Sequence, residues 1–98
     1  MAKMILHVYY SCPRATAEAF LNEMKSSGVL EAVRQEDGCE RYTYYFPAEG
    51  EGFMLTEQWR DEEALAAHAA GEPMAALKKI KAGYEMETRI EKFKAEAL

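Results

Sequence analysis

A chain of 98 residues fits a single domain, and a chain this size buries roughly two-thirds of its unfolded surface, enough for one core without staples. Its 49% hydrophobic and 30% charged residues describe a globular composition rather than a disordered one. The formal charge of −5 argues against a nucleic-acid binder, which would need a clustered basic face, and the one basic cluster, Lys78, Lys79 and Lys81, reads as complementing a helix C-terminus.

The N-terminal apolar run is short, is interrupted by His7 and lacks a small-residue cleavage site, so no signal peptide is expected. No apolar run approaches the ~20 residues of a membrane span. Met4 to Tyr10 reads as a strand whose two interleaved sets, Met4, Leu6, Val8, Tyr10 and Ile5, His7, Tyr9, are both largely apolar, so both faces are expected to be covered. Ser11, Cys12 and Pro13 end it, with Pro13 suited to a first helical turn. Ala17, Phe20, Leu21 and Met24 then form a helical stripe, broken at Ser26-Ser27-Gly28. Val29, Leu30 and Val33 predict a second short helix, and Asp37-Gly38 a turn.

Glu40 to Phe46 alternates as a strand, residues 47–52 make a hairpin connection, and Phe53 to Trp59 returns with Phe53, Leu55, Glu57 and Trp59 on one face. Asp61 suits an N-cap, with Glu62 and Glu63 in the first turn. Leu65, His68 and Ala69 share a helical face up to Gly71. Pro73 restarts a helix carrying Met74, Leu77 and Ile80, which Gly83 stops. Tyr84 to Phe93 predicts a last strand, and the tail over residues 93–98 is expected to fray.

The order predicts an α+β, ferredoxin-like β-α-β-β-α-β subunit, one domain over residues 1–98, with strands one and two parallel and strand three between them. Cys12 and Cys39 then lie at opposite edges of the sheet, which excludes an internal disulfide. Both read as reduced thiols of a cytoplasmic protein, and no Cys/His spacing suggests zinc. Helices cover one face of such a sheet, so the other is expected to pack on a second copy, giving a homodimer.

No dinucleotide, nucleotide or nucleophile-elbow motif is present. With only His7 and His68 available, no multi-histidine metal site is expected. The best cluster joins Glu57, Trp59 and His68. Two strand residues two apart share a face, and His68 lies on the stripe of the next helix, which must pack on a sheet face. Tyr42 and Tyr44 could complete an aromatic wall around a base that titrates near neutral pH. The same residue types also suit plain packing, with His68 hydrogen-bonded, Trp59 in the core, and Glu57 satisfied by Arg89 or a backbone amide. His7 is a second candidate, on a face of the first strand that periodicity leaves open.

Three segments carry a resemblance: Gly38 to Tyr42, Phe53 to Trp59, and Asp61 with Ala64-Leu65 and His68. Together they resemble the antibiotic biosynthesis monooxygenase family, whose pattern is approximately GC-x-x-Y, F-x-L-x-E-x-W-x-D and AL-x-x-H. The resemblance implies a ferredoxin-like subunit that dimerises sheet to sheet into an α+β barrel. It implies an oxidoreductase acting with O2 on a small phenol or hydroquinone without a cofactor, with His68 and Glu57 catalytic and Trp59, Tyr42, Tyr44 and His7 lining the substrate. The family also holds isomerase-like, haem-degrading and inactive members, so a non-catalytic ligand-binding or structural dimer and an isomerase remain alternatives. Many relatives carry a second histidine about five residues after the first, where this chain has Pro73. The haem-degrading branch needs a histidine and an asparagine where Lys78 and His7 stand, so haem is not expected.

Overall fold

Burial alternates along the first strand, β1 (Lys3–Ser11), with Met4, Leu6, Val8 and Tyr10 buried and Ile5, His7 and Tyr9 half-buried. The computed structural model, which describes residues 2–98, turns the first set toward the helices and the second toward the open face of the sheet. Pro13 is the N-cap of α1 (Arg14–Ser26) rather than a residue of its first turn. Its ring fixes an extended entry, and its carbonyl accepts the Ala17 N–H at 3.1 Å. Ala17, Phe20, Leu21 and Met24 are the buried face of α1, as their spacing predicts. Full burial of Phe20 and of Met24 contributes roughly 1.5–3 kcal/mol each.

The short α2 (Val29–Arg34) sets Leu30 and Val33 into the same core. β2 (Cys39–Tyr45) and β3 (Phe53–Trp59) follow, then α3 (Glu62–Ala70), α4 (Glu72–Lys81) and β4 (Glu87–Ala95). The sheet order is β2-β3-β1-β4 with every neighbouring pair antiparallel, so β1 and β2 run parallel with β3 between them. This is the expected α+β, ferredoxin-like arrangement.

The C-terminal region departs from expectation. Tyr84, Glu85 and Met86 are not strand, because the Tyr84 hydroxyl donates to Glu23 at 2.7 Å and ties this stretch to α1. β4 therefore starts at Glu87, and it continues past Phe93 to Ala95, which pairs with Lys3. The fraying expected over residues 93–98 is therefore overturned as far as Ala95, by two further ladder pairs, Met4 with Lys94 and Lys3 with Ala95, while residues 96–98 lie outside the strand. On α3 the buried residues are Ala64 and His68, with Ala69 exposed, so the stripe is rotated slightly from the one expected. Among the described residues, no helix is long and apolar enough to cross a membrane.

Candidate functional site

Glu57 stands on β3 in a row with Phe53, Leu55 and Trp59, all buried under the helices. A carboxyl group in that row must find a partner or lose its charge. The Trp59 indole, two residues on and on the same face, donates its Nε1–H to Glu57 Oε1 at 2.9 Å. Burial pushes the Glu57 carboxyl above the ordinary carboxylate value, while the indole bond and the nearby His68 pull the other way. Arg89 is not its partner: it pairs with Tyr9 on the opposite face, where its guanidinium lies 4.2 Å from the Tyr9 ring centre.

His68 is delivered by α3, whose N-terminus is fixed by Asp61: its Oδ1 accepts the Ala64 N–H at 2.8 Å. Ala64 and His68, one turn apart, both face inward. The imidazole, 2% exposed, stacks on the Trp59 indole with centroids 4.4 Å apart and planes 25° apart, and Tyr42 meets it edge-on at 6.1 Å. Its Nδ1 lies 2.8 Å from Glu36 Oε1. An ionised carboxylate can only accept, which assigns the proton to Nδ1. Nε2 lies 3.9 Å from Glu57 Oε1, beyond hydrogen-bond distance, and is buried without a partner.

Glu36 is the functional candidate that the sequence reading missed. It sits beside the Asp37-Gly38 turn, where an acid reads as solvated. Two backbone bonds fix the turn, from the Glu36 N–H to the Val33 carbonyl and from the Cys39 N–H to the Glu36 carbonyl, each 3.1 Å. The pairing of Cys39 with Trp59 then brings this turn to the end of β3 where His68 docks. The available signal was that an acid three residues before the second strand must lie near the end of the strand that pairs with it.

Beside His68 a cleft of about 560 Å³ opens between α3 and β4. Met4, Leu6 and Glu57 form its floor, Leu65 and Met74 one wall, and Ile90 and Lys92 the other. It exists because the helices stop short of the edge strand, leaving Ile90 57% exposed although it points to the helical side with Val8. A volume of this order suits a small aromatic ligand.

His68 and Glu57 both line the cleft; the other predicted residues do not. Trp59 is fully buried behind His68 and supports the ring rather than walling the cleft. Tyr42 and Tyr44 pack into the core with Phe20 and Phe53 beyond them, and the Tyr44 hydroxyl is buried without a partner. Burial pushes both phenols well up, so they stay neutral. His7 pairs with Thr56 while Leu6 pairs with Glu57, which places the His7 ring on the open face against Phe93, at 5.4 Å. Cys12 and Cys39 are free thiols, and burial pushes both up, away from the nucleophilic thiolate. Among the described residues, no three His, Cys, Asp or Glu side chains are grouped to hold a metal ion.

The family profile of the antibiotic biosynthesis monooxygenases matches residues 4–80, a span that runs from the second residue of β1 to the penultimate residue of α4 and includes Glu36, Glu57 and His68. The chain belongs to the antibiotic biosynthesis monooxygenase family. Solved structures agree with that membership at the level of fold. A conserved protein of unknown function from Bacteroides thetaiotaomicron VPI-5482 superposes with a TM-score of 0.82 at 24% identity, covering 96% of this chain and 98% of its own. A candidate antibiotic biosynthesis monooxygenase from Deinococcus radiodurans gives 0.81 at 22% identity, over 97% and 94%. Another from Nitrosomonas europaea gives 0.77 at 21% identity, over 98% and 90%. No functionally curated relative matches the sequence at a significant level.

Proposed function

We propose that this family member is a cytoplasmic, cofactor-independent monooxygenase that oxidises a small phenol or hydroquinone with O2 in the cleft beside His68. The observation that carries this reading is the unpaired Nε2 of His68, buried at the edge of an apolar cleft while Nδ1 is anchored on Glu36. An orphaned buried polar atom beside an empty volume is what a ligand proton would satisfy.

In this reading His68 Nε2 takes the phenolic proton, and the Glu36 carboxylate stabilises the imidazolium that forms. The phenolate gives an electron to O2, the two radicals combine at a ring carbon that bears a hydrogen, the imidazolium returns its proton to the peroxide so formed, and loss of that carbon's hydrogen with hydroxide, as water, leaves a carbonyl. Met4, Leu6, Leu65 and Met74 give the cleft an apolar lining, and a ring bound there would displace water and strengthen each polar contact inside it. Glu57, held on the indole of Trp59, faces the same cleft and orients the ring or a water. Trp59 holds the imidazole plane, while Tyr42 and Tyr44 back it from the core. The working unit is a homodimer joined through the open sheet faces.

The test is O2 uptake with a panel of hydroquinones and no added cofactor. A well-placed base is worth on the order of 10²–10⁴ in rate, so His68→Ala should lower uptake by at least a hundredfold. Activity that stays within about threefold of the unsubstituted protein rejects the role of His68. Hydroquinone turnover without O2 uptake would assign an isomerase instead.

A further inference from the structure

Four charged side chains line the cleft, Glu57, Glu62, Lys92 and Lys94. Glu62 and Lys94, at its mouth, are bound to each other at 2.7 Å. Glu57, on its floor, is held by an indole N–H, and burial pushes its carboxyl up while His68 and, more weakly, Lys92 pull it down. Lys92 lines the cleft with an exposed side chain that reaches Glu57 only through space, and among the described residues it makes no direct ion pair or hydrogen bond. Ladder register fixes its place. Leu6 pairs with Glu57 on one side and with Lys92 on the other, so Glu57, Leu6 and Lys92 form one cross-strand row on the helical face. Two strand spacings, roughly 9–10 Å, separate the two ends of that row. An ammonium at one end, carboxyl and imidazole at the other, and leucine between them make a slot with an anion-seeking end and a proton-accepting end.

We infer that the substrate ring carries a carboxylate, and that Lys92 is the specificity-determining residue that pairs with it while the phenolic hydroxyl meets His68. This rests on the oxygenase reading for the site, but it concerns recognition and can be measured apart from turnover. An uncharged ring would fill the apolar floor equally well and leave the ammonium unmatched. Lys92 stands on the edge strand with an exposed side chain, so its replacement leaves the core intact.

The experiment compares gentisate, which bears a carboxylate, with methylhydroquinone, which bears a methyl group. Binding is followed through the fluorescence of Trp59, the only tryptophan, which stacks on His68. A partly exposed ion pair is worth up to about fivefold in affinity, so gentisate should bind about fivefold tighter, and the preference should shrink in high salt. Lys92→Met should abolish the preference by weakening gentisate binding relative to methylhydroquinone, Lys92→Arg should keep most of it, and Lys79→Met, with the same change in net charge, should keep all of it. Equal binding of the two probes, binding of neither, or equal losses for both in Lys92→Met would overturn the inference. A Lys92-dependent preference without O2 uptake would sink the oxygenase reading and leave this one standing. O2 uptake with no charge preference would do the reverse.

Discussion

At the scale of single residues the site is a chain of four side chains, Glu36, His68, Trp59 and Glu57, in which each limits what the next can do. Glu36 fixes the histidine tautomer, so it should act on rate more than on binding. Glu36→Ala is expected to lower kcat for O2 uptake by about tenfold with KM nearly unchanged, and Glu36→Gln, which keeps an oxygen acceptor for Nδ1–H, to recover part of it. Glu57 makes a stability prediction with a definite sign. Burial raises its folded value above the ordinary 4.5, so the folded chain holds this proton more tightly than the unfolded chain does. Its contribution is fully present below the ordinary value and is lost as pH rises through the folded one. Glu57→Gln keeps an oxygen for the Trp59 N–H and removes the titration. Thermal unfolding between about pH 4 and about pH 8 should therefore show the variant gaining on the unsubstituted protein as pH rises. A constant difference across that range would show that Glu57 is not the group responsible.

At the scale of elements, the position of α3 decides whether the site exists, and Gly38 sets that position. Gly38 has φ +82°, its carbonyl accepts the Arg60 N–H at 2.8 Å, and a Cβ there would run into the Ala64 side chain, one turn before His68. Gly50 has a similar φ of +89° but open space around it. Both alanine variants meet left-handed backbone strain of about 1–2 kcal/mol. Only Gly38→Ala also pushes α3 off the sheet. Chemical unfolding should show Gly38→Ala losing clearly more stability than Gly50→Ala, and activity should fall in Gly38→Ala alone. Equal losses would mean that the Gly38–Ala64 approach does not hold the helix. The strands and helices were legible in the sequence because alternation along β3 and the four-residue stripe of α1 match their periods without ambiguity. Glu57 and His68 could be paired because strand parity and helix periodicity each point one way. Where periodicity gives no direction, the reading fell short. β1 is apolar on both faces, so only the pairing of Leu6 with Glu57 settles that His7 faces away. Tyr42, Tyr44 and Trp59 looked like cleft walls, but which side of His68 opens depends on how far the helices extend over β4, a tertiary fact with no local signature.

At the scale of the whole molecule the sheet has one face under helices and one without cover. The open face carries Ile5, His7 and Tyr9 of β1, and beside them Phe93 of β4, 45% exposed, with Tyr45 of β2 also outward. It also holds its own polar pairs, with the Tyr9 hydroxyl donating to Glu91 at 2.9 Å and Arg89 lying over the Tyr9 ring. Apolar side chains ringed by satisfied polar groups are what a specific protein interface presents, and a sheet face is large enough for the ~800 Å² per partner that a stable dimer buries. A second copy is the simplest partner, because a two-fold axis lets one surface serve both subunits. Sedimentation equilibrium at micromolar concentration should therefore return twice the monomer mass. Phe93 packs against the His7 ring on this face, so a charge there would be buried without a partner in the dimer. Phe93→Glu should shift the protein to monomer while its far-UV circular dichroism stays unchanged, since an exposed side chain on an edge strand contributes little to the subunit core. A monodisperse monomer of the unsubstituted chain, or a Phe93→Glu variant that remains dimeric, would place the subunit contact elsewhere or remove it.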